Sequence, residues 1–82
     1  LNKKLNELTD YDIVKMISNE FKYLKPASVD VIVYNIERPL SIIAVEFIAV
    51  LRVQTNEGQW LTTNLGKFTA YINGDRVEIR KR

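Results

Sequence analysis

Eighty-two residues with 46% hydrophobic and 27% charged side chains, three glycines and two prolines make one folded domain with one core, and exclude a disordered or low-complexity chain. The absence of cysteine excludes a disulfide framework and thiolate chemistry, and the absence of histidine removes the usual proton shuttle and the commonest metal ligand. A formal charge of +2 is too small to imply a polyanionic partner by itself.

Charge clusters only at the two ends, with Lys3 and Lys4 at one and Arg76, Arg80, Lys81 and Arg82 at the other, and such ends are expected to be solvated. The sequence begins with Leu1, which fits a trimmed domain, a processed protein, a fragment of a longer chain or an artefact of preparation. The longest apolar stretch, Ser41 to Val53, is interrupted by Glu46 and Arg52, so no membrane-spanning helix is expected. No signal peptide is visible, and the compartment stays unassigned.

In chain order, LNKKLNEL spaces Leu1, Leu5 and Leu8 for a helical turn or two. Thr9 then caps a helix, with Asp12 completing a capping box and Leu8 packing on Ile13 as a staple. Ile13, Ile17, Phe21 and Leu24 fall on one face with Val14 beside them, and Pro26 stops the run, which predicts a helix from about residue 10 to 24. SVDVIVYNI reads as a strand with Val29, Val31 and Val33 on one face and Ile32, Tyr34 and Ile36 on the other. After the polar break at Glu37, Arg38 and Pro39, the β-branched content of SIIAVEFIAVLRV favours a long strand over a helix.

In TNEG, Gly58 suits the left-handed position after a type I turn, giving a three-residue loop that pairs Thr55 with Gln59 and Val53 with Leu61. Leu51, Val53 and Leu61 then share one face, and Arg52, Gln54, Trp60 and Thr62 the other. NLG, residues 64 to 66, is expected to bend the chain. In FTAYINGDRVEI, Asn73 and Gly74 match a type I′ turn that pairs Ile72 with Asp75, Ala70 with Val77 and Phe68 with Ile79. Phe68, Ala70, Ile72, Val77 and Ile79 form its inner face; Thr69, Tyr71, Arg76, Glu78 and Arg80 form its outer one.

Together these elements predict a single α+β domain, an N-terminal helix packed on a curved antiparallel sheet of about four strands. This order resembles the cystatin-like or NTF2-like arrangement in outline, a likeness of architecture that assigns no function.

No nucleotide-binding, metalloprotease or EF-hand motif occurs, and no serine has a histidine to activate it. Asp10 and Asp12 suit the opening turn of the helix. We therefore expect no catalytic residues, no metal site, no cofactor and no enzymatic activity. Glu46 is the unusual residue, because a carboxylate within an apolar strand must reach water, meet a base or hydroxyl, or sit in a pocket with its proton retained.

If Ile43, Val45, Phe47, Leu51 and Val53 face the helix, then Ile42, Ala44, Glu46, Ile48, Val50 and Arg52 face away, with Ile32, Tyr34, Ile36 and Trp60 extending the patch. One helix covers one side of a sheet, so the other is expected to meet another protein surface, a second copy or another part of a longer polypeptide, unless the sheet curls round the helix or LNKKLNEL folds back over it. Two alternatives compete with this interaction domain. One is a nucleic-acid module using Tyr71, Arg76 and Arg80 on the outer sheet face, and the other is a small-ligand site near Glu46.

Overall fold

The computed structural model describes residues 7–82, so Leu1, Lys3, Lys4 and Leu5 lie outside the described residues. Helix α1 runs Asp10–Asn19, followed by a 3₁₀ turn at Lys22–Leu24 and strands β1 (Ser28–Glu37), β2 (Ile43–Gln54), β3 (Trp60–Asn73) and β4 (Arg76–Lys81). The strands form an open antiparallel sheet in the order β1-β2-β3-β4, so the α+β class and the four strands are as expected.

The start of α1 follows its sequence signal. Thr9 Oγ1 accepts from the Asp12 N–H at 3.1 Å, and the Thr9 N–H donates to Asp12 Oδ2 at 3.0 Å, which satisfies two of the helix's orphan donors. The helix ends five residues earlier than expected, at Asn19. Ser18 and Asn19 are weak helix formers, and from Glu20 the bonding tightens to three-residue spacing, with Glu20 N–H donating to Ile17 C=O and Phe21 N–H to Ser18 C=O. Phe21 (φ −102°, ψ 9°) leaves the helical path, and its ring meets those of Phe47 and Phe68 edge-on, each at 6.3 Å between centroids.

We call the sheet face under α1 inner and the opposite one outer. Ile13 and Ile17 of the helix and Leu8 before it close over Ile43, Val45, Phe47 and Ala49 of β2 and Ala70 and Ile72 of β3, all buried. Val29, Val31, Val33, Ile36, Leu65, Phe68, Val77 and Ile79 pack around this centre. Arg38 ties the start of the helix to the β1–β2 connection, donating to the Leu8 C=O at 3.0 Å with Asp10 Oδ1 3.7 Å away.

Three details of the sheet differ from expectation. Between Val33 and Asn35 the β1–β2 register shifts, so Asn35 pairs with Glu46 and Ile36 with Val45. This bulge moves Ile36 from the outer face, where alternation put it, into the core. Secondly, the bend expected at residues 64–66 is a bulge within the continuous β3 and not a break between two hairpins. The Asn64 Oδ1 accepts from the Gly66 N–H at 2.8 Å, and Gly66 sits at φ 104°.

Thirdly, the last hairpin turns on Gly74 and Asp75, flanked by the pair Asn73 and Arg76, and not on Asn73 and Gly74. Gly74 has φ 63° while no described non-glycine residue has positive φ, which is type II′ geometry in place of type I′. The register therefore moves by two residues, pairing Ile72 with Val77, Ala70 with Ile79 and Phe68 with Lys81. An even shift leaves the faces unchanged, so Val77 and Ile79 still pack on the core.

The TNEG hairpin follows its expected register: the Thr55 N–H donates to Gln59 C=O at 2.7 Å, Gly58 sits at φ 86°, and Val53 pairs with Leu61. Ten helical residues span about 15 Å, whereas the fourteen residues of β3 reach about 46 Å, so α1 covers only part of the inner face. At the far end of the β2–β3 hairpin, Val53 is 37% and Leu61 55% exposed, although both lie on the helix side. The molecule is accordingly elongated, 48 × 26 × 17 Å. Among the described residues no helix is long and apolar enough to cross a membrane.

Candidate functional site

The outer face is built from alternate residues of the four strands. Rows across it read Ile32, Ile48 and Lys67; then Asn35, Glu46, Thr69 and Arg80; then Glu37, Ala44, Tyr71 and Glu78. Arg52 pairs with Thr62, and Trp60 with Gln54, nearer the hairpin tip. Ile42, Ala44, Glu46, Ile48, Val50 and Arg52 are half-buried by their own neighbours, while Ile32, Tyr34 and Trp60 stand out at 52%, 46% and 53% exposure. The expected interface residues therefore share a face, apart from Ile36.

Glu46 occupies the middle of this face and is fully engaged. The Asn35 side-chain amide donates to Oε1 at 2.8 Å, and the Arg82 guanidinium meets Oε2 while also donating to the Tyr34 hydroxyl at 3.2 Å. The bulge in β1 makes this arrangement: it turns both Tyr34 and Asn35 outward, one toward Arg82 and the other onto Glu46. A carboxylate 27% exposed is thereby held by a cation and an amide.

Arg82 is the member of the site that charge patterning alone misses. It falls in the basic run expected to be solvated, yet it reaches across the sheet. Its neighbours in that run are also engaged, with Lys81 Nζ 4.8 Å from the Phe68 ring centre and donating to the Leu65 C=O, and Arg80 2.6 Å from Glu78. The signal that could have found it is strand parity, since two residues beyond outward-facing Arg80 comes another outward residue.

Three aromatic rings of the face carry cations: Arg52 lies 4.7 Å from the Trp60 ring centre, Lys67 5.9 Å from Tyr34 and Arg80 5.5 Å from Tyr71. Arg52 also sits 3.7 Å from Asp30. Of the three nucleic-acid candidates, Tyr71 and Arg80 meet directly. Arg76 belongs to the hairpin end, where it lines a shallow groove of about 240 Å³ with Ile42, Tyr71 and Glu78. Trp60 and Tyr71 are eleven residues apart on β3, roughly 36 Å, and belong to different parts of the surface. A second groove of about 440 Å³ is lined by Glu37, Arg38, Pro39 and Ala44, and Glu46 lines neither. Compared with known protein families, curated proteins and solved structures, the chain matches none.

Proposed function

We propose that the chain is a non-catalytic interaction domain that associates with a second copy of itself through the outer face of its sheet. The observation behind this reading is the contrast between the two faces. One is closed by α1 over a fully buried centre; the other carries Ile32, Tyr34 and Trp60 at roughly half exposure with no helix over it among the described residues. Half-buried Ile48 and Val50 join these residues into a surface with apolar and aromatic parts, and the Glu46–Arg82–Tyr34 group supplies polar direction within it. The helix on a meander of long strands is also the basis of the cystatin-like or NTF2-like outline, which bears on shape alone. Sedimentation over a concentration series tests the proposal: a mass rising toward twice the monomer supports it, and a strict monomer at hundreds of micromolar ends it.

A second reading, as a nucleic-acid module, is favoured by the three cation–aromatic pairs of the same face. Its weakness is that Arg80 and Arg52 have carboxylates beside them, Glu78 and Asp30. On this reading, replacing Arg76 and Arg80 by alanine lowers affinity for single strands and flattens the salt dependence, by about 0.7 in slope for each phosphate that is no longer neutralised. Replacing Trp60 or Tyr71 removes about 1 to 3 kcal/mol of stacking. Absence of binding to single- and double-stranded probes at low salt rejects it.

A further inference from the structure

The connection between β1 and β2 carries Leu40, the most exposed large apolar side chain among the described residues. This connection borders the outer face, since Pro39 shares a groove with Glu37 and Ala44 of one outer row. At the same end of the same face lies the shallow groove of about 240 Å³ walled by Ile42 and Tyr71, with Asn73, Arg76 and Glu78 beside them. A cavity of about 150 Å³ holds a benzene ring, so this groove has room for an isobutyl group.

We infer that Leu40 of each copy seats in the Ile42–Tyr71 groove of the other, with the two-fold axis running along the strands. The inference rests on the outer-face contact proposed above and adds to it the direction of the axis and an anchor outside the sheet.

Two-fold symmetry leaves two ways for the outer faces to meet with strands aligned, at the spacing of about 10 Å that packed sheets keep. An axis across the strands lays each strand end for end over its own counterpart, so the β1–β2 connection of one copy comes over the β2–β3 hairpin of the other. An axis along the strands keeps each row opposite the same row of the second copy and exchanges the two sides, β1 over β4. Only this second arrangement brings Leu40 to the level of the groove.

Charge selects the same axis. On the outer face β1 carries the acids Asp30 and Glu37, whereas β4 carries Arg76 and Arg80 with Glu78 between them, and Lys67 lies beside them on β3. An axis across the strands brings Asp30 toward Glu37 of the second copy and lays the basic β4 over its own counterpart. The axis along the strands sets the acidic side of each face over the basic side of the other. It also lays Trp60 over Arg52 and Gln54 of the second copy, which suits an anchoring role for that ring.

The test uses the absence of native cysteine, with two single-cysteine variants mixed in equal amounts and one of them carrying a mass tag. Leu40→Cys with Asn73→Cys, in the groove, is expected to give a mixed disulfide dimer on mild oxidation. Leu40→Cys with Gln54→Cys, at the hairpin end of the outer face, is expected to give none. Leu40→Ala should weaken association about tenfold in sedimentation, with thermal unfolding unchanged because the side chain is fully exposed in the single copy. Leu40→Met, which refills the groove, should stay within about threefold of the parent chain. A cross-link to Gln54→Cys in place of Asn73→Cys places the axis across the strands and overturns the inference. Association weakened by Trp60→Ala but unchanged by Leu40→Ala, with no cross-link to Asn73→Cys, overturns the seating of Leu40 and leaves the face contact standing. A monomer under every condition overturns both.

Discussion

Replacing Phe47 by alanine is expected to lower fold stability by about 3 to 5 kcal/mol, the usual loss for deleting a core aromatic. The ring is fully buried, stacks on Phe68 with centroids 5.6 Å apart and planes 18° from parallel, and receives the edge of Phe21. It thus joins β2, β3 and the segment after α1, so its removal leaves a cavity that no single neighbour can fill. A chain of this size has a total stability of about 4 to 12 kcal/mol, and the variant stands near the limit of folding. Phe47→Leu, which keeps most of the volume, should lose less and remain measurable by denaturant titration. The reading of the core fails if Phe47→Ala costs under about 1 kcal/mol with an unchanged denaturant slope.

The sequence signals that are legible here are those whose cause is local. Thr9 and Asp12 specify a cap because both partners lie within four residues, and TNEG specifies its hairpin because Gly58 alone can take the left-handed position without strain. The segment Asn73-Gly74-Asp75 contains two hairpin dipeptides, Asn-Gly and Gly-Asp, and the local rule does not choose between them. The structure takes the second. Since the alternative differs by two residues in pairing, both put the same side chains inside, so face assignments survive where register does not. The bulge at Tyr34 has no local signal. It is fixed by contacts distant in sequence, with Ile36 entering the core on one side and Asn35 and Tyr34 meeting Glu46 and Arg82 on the other. The same holds for Glu46, whose need for a partner is visible in the strand, while the partners, eleven and thirty-six residues away, are not.

The contrast between adjacent residues of β2 carries the second large effect. Ile48 follows Phe47 but points to the outer face, between Ile32 and Lys67 in its row. An aspartate there adds a charge beside Lys67, where water reaches it, so the monomer should lose no more than about 1 kcal/mol. In a face-to-face contact the same carboxylate is taken out of water with an apolar surface against it, a cost that weak association cannot absorb. Ile48→Asp is therefore expected to leave a folded monomer at concentrations where the parent chain is dimeric. Trp60→Ala removes an exposed aromatic whose ring is paired with Arg52, and an anchoring role in the interface predicts a loss of about 2 kcal/mol in association, about thirtyfold in Kd. Sedimentation gives the association and thermal unfolding the fold, so each variant is read on both scales. Phe47→Ala should move chiefly the second and Ile48→Asp chiefly the first. If Ile48→Asp instead unfolds the chain as severely as Phe47→Ala, the outer face is a second core surface and not a docking surface. If it changes neither quantity, the two copies do not meet on this face.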